Sequence, residues 1–299
     1  MKLLRIGDVG KERPAVLLPD GRVVDVSSAV RDFDGPFFES GGVEQLRRGM
    51  DRSFPEINLE GLRIGAPIAR PWKVINIGLN YVDHARESGV PIPPEPIVFM
   101  KASNCVIGPD DDVFLPPGSR KTDWEVELGV VLGRTARYLP DVAAAASCIA
   151  GYCISNDVSE REYQLERGGQ WTKGKSCERF NPVGPWLVTA DEIRDPQNLA
   201  MSLDVNGVRR QTGNTRSMIF GVQHLVWYLS QFMVLEAGDL LSTGTPPGVG
   251  VAWKPEPVFL QEGDVMELSI EGLGRQRQLV RRATTRSDPR RRAPALAEP

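Results

Sequence analysis

The carboxylates of one short segment are the residues best placed for chemistry. Asp123, Glu125 and Glu127 alternate with apolar residues, and an apolar run follows them to Leu132. Side chains alternate between the faces of a strand, so the three acids are expected on one face. Carboxylates are rarely buried without a partner, and a hard divalent cation, Mg²⁺ or Mn²⁺, suits oxygen ligands. An amphipathic strand with one solvated face is the alternative interpretation.

A further acid and a histidine add candidate groups. Asp157 follows the apolar segment Cys148–Asn156, where it either caps the next turn or completes a metal shell, and the spacing leaves both interpretations open. Asn80 is placed to cap a short helix with His84 and Glu87 on one face. A carboxylate orients an imidazole and stabilises its protonated form, as a general base requires. A surface or core histidine without chemistry is the alternative.

The composition excludes several other classes of protein. The 299 residues include 36 Lys plus Arg and 39 Asp plus Glu, a net charge of −3, so we expect no nucleic-acid partner. Two His and four Cys, without a CxxC pair, leave few possibilities for a zinc site or thiol catalysis. No segment has the roughly 18 uncharged residues of a membrane span. We therefore expect a cytoplasmic protein with reduced thiols and no membrane partner.

The elements that must position these groups are mainly strands, and 30 Gly with 24 Pro favour a turn-rich β protein. Strands are predicted at Ile97–Lys101, Val113–Leu115, Trp124–Leu132, Ile149–Ser155, Pro185–Thr189, Leu240–Ser242 and Val265–Ile270. Hairpins are predicted at Ala15–Val26, Val205–Val208 and Gly272–Gly274. Helices are predicted at Val43–Met50, Asp141–Ser147 and Ser217–Leu235. The fold class is therefore α+β and β-rich.

The chain divides into three predicted parts. Residues 1–70 form a small N-terminal β-containing domain, because Pro67 and Pro71 interrupt regular structure at its end. Residues 71–283 form the main domain. Residues 284–299 are rich in Arg and Pro and bury too little apolar area to offset the entropy of ordering, so a flexible tail is expected.

Six segments together resemble the fumarylacetoacetate hydrolase superfamily. They are Ile77–Glu87, Asp123–Leu132, Ser155–Ser159, Lys173–Ser176, Gly184–Trp186 and Ser242–Gly250. The resemblance extends from Trp72 to Val280 and implies a catalytic mixed β-roll, a small N-terminal domain and a homodimer. The sequences of Gly168–Cys177 and Thr245–Gly250 are most similar to those of bacterial acylpyruvases and 2,4-diketo-3-deoxy-sugar-acid (fuconate or rhamnonate) hydrolases.

The resemblance implies a role for each candidate residue. Glu125, Glu127 and Asp157 match the family's metal carboxylates, with Mg²⁺ or Mn²⁺ as cofactor. Fumarylacetoacetase has a further acid ligand where this chain has Ile77, which argues against fumarylacetoacetate as substrate. The family's substrate-contacting positions are matched by Arg161, Gln164 and Thr245.

The remaining roles concern proton transfer. His84 and Glu87 match the pair that activates water, and Lys175 matches the active-site lysine. Lys173 would share its face if the segment were extended, and is the alternative to Lys175. His224 lies among apolar residues of a predicted helix and is expected to be structural.

The expected reaction is metal-dependent cleavage of the C3–C4 bond of an acylpyruvate-type 2,4-diketo acid to pyruvate and a carboxylic acid, and the expected partner is a small 2-keto or 2,4-diketo acid. The same scaffold serves as oxaloacetate decarboxylase, 2-keto-4-enoate hydratase, isomerase or ureidoglycolate lyase, which are the alternatives. A non-catalytic metal-binding protein is the hypothesis from another class.

Overall fold

The structure, a computed structural model, describes residues 1–284, so most of the predicted tail lies outside the described residues. Its five α-helices are α1 (Gly35–Glu39), α2 (Gly42–Gly49), α3 (Val82–Glu87), α4 (Thr172–Lys175) and α5 (Val222–Ser230). In this part of the chain no helix is long and apolar enough to cross a membrane.

Nineteen strands run through the same residues. The first ten are β1 (Lys2–Ile6), β2 (Arg13–Leu17), β3 (Val23–Asp25), β4 (Glu56–Ile57), β5 (Ile64–Gly65), β6 (Val74–Gly78), β7 (Ile97–Lys101), β8 (Val106–Ile107), β9 (Val113–Leu115) and β10 (Thr122–Asp123). The others are β11 (Val126–Leu132), β12 (Ile149–Asn156), β13 (Ser159–Glu160), β14 (Asn181–Thr189), β15 (Ala200–Val205), β16 (Val208–Asn214), β17 (Leu240–Ser242), β18 (Val265–Ile270) and β19 (Gly274–Arg282).

Most strands belong to one large mixed sheet. Its order is β4-β3-β2-β1-β14-β12-β11-β17-β6-β7, and β17 and β6 pair in parallel whereas β11 is antiparallel to both of its neighbours. A second sheet has the order β16-β15-β18-β19-β9. Leu128 and Val130 of β11 share one hydrophobic core with Leu203 and Leu268 of the second sheet. The α+β, β-rich fold class is thus confirmed, with every residue of β11 buried between layers.

Turn chemistry explains the hairpins, all three of which are confirmed. Val205 pairs with Val208 across Asn206 and Gly207, which both have positive φ (53° and 73°). A two-residue turn of this kind matches the twist of its strands and favours Asn-Gly. β2 pairs with β3, and β18 with β19, through the other two predicted turns.

Two predicted helices differ from the structure. The predicted helix Ser217–Leu235 is too long, because α5 spans only Val222–Ser230. Gly221 is extended before the helix, and Leu235, beyond its end, pairs with Ala136. Asp141–Ser147 was expected to be α-helical, whereas Ala143–Cys148 is a 3₁₀ helix. Its buried residues Ala145 and Cys148 are three apart, which fits three residues per turn.

The first strand belongs to the large sheet, where Lys2 and Leu3 of β1 pair with Val188 and Leu187 of β14. Residues 1–70 thus contribute strands to the sheet that carries β11. A domain boundary near residue 70 stays a prediction.

Candidate active site

Three buried carboxylates converge where β11 begins and β12 ends. Glu125 lies between β10 and β11, Glu127 is the second residue of β11, and Asp157 follows β12. The backbone N–H of Asp157 donates to the Glu125 carbonyl at 2.9 Å, while Glu127 pairs with Ser155. The strand register thus brings one oxygen of each acid within 4.8 Å of the others. The predicted strand Trp124–Leu132 is shorter than expected, starting after Glu125.

Lys175 lies against two of these acids. Its Nζ is 2.8 Å from Glu125 Oε2 and 2.7 Å from Asp157 Oδ2. Burial alone lowers the pKa of Lys175, but the charges of Asp157 and Glu125 outweigh burial and raise it. Its segment is helical and not extended, so Lys173 is exposed and donates to the carbonyl of Arg167. The structure therefore brings Lys175, and not Lys173, to the carboxylates.

Arg161 holds a second side of Glu125. One guanidinium nitrogen is 2.7 Å from Glu125 Oε1 and 2.8 Å from Asp123 Oδ2, and another donates to Gln164 Oε1 at 3.0 Å. Burial raises the pKa of Glu125, but Lys175 and Arg161 overcome that effect and lower it to about 2. Glu125 is thus held ionised by two fixed cations.

Asp123 has a positioning role that the strand pattern did not indicate. It accepts backbone N–H groups of the turn Gly250–Ala252, at 2.6 and 3.0 Å, in addition to Arg161. Glu125 and Glu127 line the cavity whereas Asp123 does not, although the same Arg161 nitrogen contacts both Asp123 and Glu125. A face shared by all three acids stays a prediction. Asp123 belongs to β10, which pairs with β13 and not with the neighbours of β11.

Glu127 has no ion-pair partner within residues 1–284. Its carboxylate accepts one hydrogen bond there, from the N–H of Gly244 at 2.8 Å. Burial, followed by repulsion from Asp157 and Glu125, raises its pKa well above the ordinary value. Three converging hard oxygen donors, one of them without a countercharge, fit a divalent cation such as Mg²⁺ or Mn²⁺.

Lys101 is a buried cation that sequence reasoning missed. Its Nζ contacts Asp157 Oδ1 and donates to the carbonyls of Val158 and Phe180. The available signal was a lysine that ends the apolar strand Ile97–Lys101. Lys101 neutralises the side of Asp157 that Lys175 does not reach.

Replacing Lys101 by methionine (Lys101→Met) is expected to lower the free energy of unfolding by about 3 kcal/mol. Removing one partner of a buried ion pair costs roughly 3–5 kcal/mol, and we expect the lower end because Lys175 still pairs with Asp157. Urea denaturation of the metal-free protein measures the change. Lys173→Met, at an exposed position, is the matched control, with an expected change within about 0.5 kcal/mol. Equal stability of the two variants would contradict the role of Lys101.

His84 and Glu87 lie on α3 and face each other, with 3.2 Å between His84 Nδ1 and Glu87 Oε2. Glu87 also accepts the N–H of Gly248, at 3.0 and 3.1 Å, which ties the helix to the loop after β17. The capping role expected for Asn80 is wrong. Its amide instead bonds to the backbone of Phe220 and Thr243, because it is fully buried between two segments.

Thr245 lies near the start of the same loop, three residues after β17. Its hydroxyl donates to the Val126 carbonyl at 2.9 Å and accepts from Gln211 at 2.8 Å. The hydroxyl proton of Thr245 is therefore used within the protein, and the predicted substrate contact of this residue stays a prediction. Gln211 was not singled out from the sequence, although it fixes this loop to the start of β11.

One cavity of about 380 Å³ collects these groups, within the roughly 300–1,000 Å³ typical of small-molecule sites. Eight of the nine predicted site residues line it: His84, Glu87, Glu125, Glu127, Arg161, Gln164, Lys175 and Thr245. The ninth, Asp157, does not line the cavity and is buried in contact with Lys101 and Lys175. The structure thus brings the candidate groups together, while their individual roles stay predictions.

Comparison with known proteins decides the family. The family model described as "Fumarylacetoacetate (FAA) hydrolase C-terminal" matches residues 73–281. The chain belongs to this family. A family member from Burkholderia multivorans named "Putative hydrolase" is 52% identical over 283 residues, which are 95% of this chain and 100% of the relative.

Solved structures of fumarylacetoacetate hydrolase family proteins also match nearly the whole chain. The fumarylacetoacetate hydrolase of Exiguobacterium antarcticum is 35% identical with a TM-score of 0.81, covering 95% of this chain and 100% of its own. Maleylpyruvate hydrolase from Sphingobium sp. SYK-6, solved with manganese(II) and pyruvate, is 27% identical with a TM-score of 0.78 and the same coverage. The 2-hydroxyhepta-2,4-diene-1,7-dioate isomerase of Mycobacterium marinum is 31% identical with a TM-score of 0.74, covering 94% and 98%.

Proposed function

We propose that this protein is a divalent-metal-dependent hydrolase that cleaves the C3–C4 bond of an acylpyruvate-type 2,4-diketo acid into pyruvate and a carboxylic acid. One observation carries the proposal: the His84–Glu87 pair lines the same cavity as Glu125, Glu127 and Lys175. A general base, a set of oxygen ligands and a buried cation are the groups that such a hydrolysis uses. The manganese- and pyruvate-bound relative supports this class of reaction.

His84 takes the proton of the attacking water. In the tautomer that this role requires, Nδ1–H donates a hydrogen bond to Glu87 and Nε2 carries the free lone pair. The resulting hydroxide adds to the C4 carbonyl, and the C3–C4 bond then breaks with its electron pair passing to C3 and the C2 oxygen. The proton held by His84 returns to C3. Water is thus divided between the two products, with OH in the carboxylic acid and H in the methyl group of pyruvate.

The other groups bind the substrate and stabilise charge. Glu125, Glu127 and Asp157 would hold the divalent cation, which supplies Lewis-acid stabilisation of negative charge on a 2-oxo acid. Lys175 stays protonated and donates toward the oxygen on which charge develops. Gln164 has its amide oxygen engaged by Arg161, which leaves its amide nitrogen to donate to the substrate.

Isomerisation is the second candidate function. The solved isomerase is somewhat more similar in sequence than the maleylpyruvate hydrolase, and its reaction also needs a group that moves a proton. His84 would then take the proton of the 2-hydroxyl group of a dienol and deliver it to a carbon of the diene, which leaves a 2-oxo group and one shifted double bond, without activating water.

The two functions are separated by their products. The protein is incubated with an acylpyruvate and Mg²⁺ or Mn²⁺, and pyruvate is followed by coupled reduction with lactate dehydrogenase. We expect pyruvate release in proportion to enzyme and none with a chelator. A change in double-bond absorbance of a 2-hydroxy-2,4-dienoate, without pyruvate from any acylpyruvate, would contradict the hydrolase and favour the isomerase.

We further propose a cytoplasmic homodimer whose partner is a small 2-keto or 2,4-diketo acid, without nucleic-acid or membrane partners. All four cysteines are free thiols, which suits a reducing compartment. Trp72 and Phe232 are 73% and 66% exposed, and large side chains of this kind are commonly buried between subunits. Light scattering that gives the mass of one chain would contradict the dimer.

A further inference from the structure

The cavity has a charged inner end and an apolar outer wall. Its inner end, defined by buried charged and amide side chains of the lining, consists of Glu125, Glu127, Arg161, Gln164 and Lys175. The outer wall, here called the acyl slot, consists of Val90, Phe99, Leu165, Trp171 and Val251. These residues come from five different segments, so the apolar character of the slot is a property of the folded chain.

The two aromatic residues of the slot adjoin the inner end of the cavity. Phe99 and Trp171 pack edge to face, with ring centroids 5.3 Å apart and an interplanar angle of 64°. Lys175 Nζ is 5.0 Å from the centroid of Phe99, so the slot starts beside the active-site lysine. A Cβ at Gly78 would lie 2.5 Å from Trp171 Cζ3, so this glycine makes room for the indole.

The mouth of the slot is apolar and open to water. Leu165 is 50% exposed and Val90 is 39% exposed, although both line the cavity. Single exposed apolar residues are ordinary, but these two converge on one cavity. An apolar group bound there removes their surface from water, which is favourable.

Charged groups are scarce along this part of the wall. Within residues 1–284, Lys254 is the one cationic residue that lines the cavity away from its inner end, and it is exposed at the rim. A carboxylate in the slot would lose its hydration against apolar side chains, and the exposed Lys254 offers it only a solvent-screened countercharge. Among the described residues Ser88 is the one hydroxyl side chain that lines this part of the cavity, so the several hydroxyl groups of a sugar acid would find few partners there.

We infer that the acyl slot holds an uncharged, apolar acyl group on C4, so that the substrate class is aroyl- or branched alkanoylpyruvates. This inference rests on the proposed function, because it assigns the slot to the acyl half of the same substrate. It separates the chain from enzymes whose substrates carry a carboxylate or several hydroxyls at that end.

Three substrates with the same 2,4-diketo acid head test the inference. They are benzoylpyruvate, 4-carboxybenzoylpyruvate and a 2,4-diketo-3-deoxy sugar acid. We expect kcat/KM for benzoylpyruvate to exceed that of each of the others by about tenfold or more, the scale on which a hydrophobic pocket discriminates. Preference for either of the other two would overturn the inference while leaving the hydrolase proposal intact.

A charge introduced into the slot gives the matched variant. Leu165→Lys lies at an exposed position and is expected to lower the preference for benzoylpyruvate over 4-carboxybenzoylpyruvate by about tenfold. Val208→Lys, 51% exposed at the β15–β16 turn, is the control and should leave the preference unchanged. A structural effect alone would lower both rates equally, and equal loss would overturn the assignment of Leu165 to the slot.

Binding is measured separately by calorimetry with Mn²⁺ present, which requires no turnover. Tighter binding of benzoylpyruvate than of its 4-carboxy derivative supports the slot even if no pyruvate forms, in which case the hydrolase proposal fails alone. Equal or weaker binding of benzoylpyruvate overturns the inference whether or not pyruvate forms.

Discussion

Glu127→Gln is expected to abolish metal-dependent pyruvate release. Glutamine has nearly the size of glutamate, and its amide oxygen can still accept the N–H of Gly244. The substitution removes the carboxylate charge, which has no cationic partner within residues 1–284. Loss of a group that merely supports a metal ligand lowers metal affinity roughly 10–100-fold, so loss of a direct ligand should lower it further. Mn²⁺ affinity is measured by calorimetry, and pyruvate release by the coupled assay.

Glutamine at this position is preferable to a change at Glu125. Glu125→Ala should also abolish activity, but it leaves Lys175 and Arg161 without one of their buried partners and so lowers stability as well. Glu127→Gln removes repulsion from Asp157 and Glu125, so the metal-free variant should unfold at the same temperature as the unmodified protein or higher.

The control for this experiment is Glu12→Gln, a buried carboxylate paired with Arg5 and Arg63 far along the chain from the cavity residues. Its Mn²⁺ affinity should be unchanged. Full metal-dependent turnover by Glu127→Gln would show that this acid is not a ligand, and turnover by metal-free protein would contradict the proposed chemistry as a whole.

His84→Ala is expected to lower kcat by about 10²–10⁴-fold, the usual contribution of a general base. The imidazole faces Glu87 and lines the cavity, but it contacts none of the three acids by hydrogen bond in the described residues. Mn²⁺ affinity and KM should therefore change little. Steady-state kinetics and calorimetry with the same preparation measure both quantities.

The other histidine of the chain provides the control. His224 lies on α5, stacks on Phe220 at 5.3 Å with a 19° interplanar angle, and is absent from the cavity wall. His224→Gln should retain the kcat of the unmodified protein, in agreement with its expected structural role. A loss of kcat in His224→Gln as large as that in His84→Ala would refute the assignment of the base.

The buried charges around the site bear on how an overall acidic chain would attract the acidic substrate that we propose. When all are ionised, four carboxylates face three cationic side chains, which leaves one net negative charge. A divalent cation reverses the sign of this cluster. The net charge of −3 over the whole chain therefore says little about the substrate, because the local charge at the cavity differs from it.

Local patterns in the sequence determined many elements. Alternation of apolar and polar residues, together with apolar runs, predicted the strands Ile97–Lys101, Leu240–Ser242 and Val265–Ile270 with the observed bounds. This works because the period of side chains along a strand depends only on the residues of that strand. Asn206-Gly207 predicted its hairpin for the same local reason. The resemblance to family motifs also singled out residues that share one cavity in the structure.

The tertiary structure alone decided which of these residues meet and what surrounds them. Lys101 contacts Asp157 although 56 residues separate them, and Trp171 packs on Gly78 from another segment. The contacts of Asp123 with Arg161 and with the backbone of Gly250 and Val251 likewise join distant segments and do not follow from spacing. Burial and charge pairing arise from register between distant strands, and no local period encodes that register. The sequence determined the chemistry available to this protein, whereas packing decided its countercharges and the apolar wall beside it.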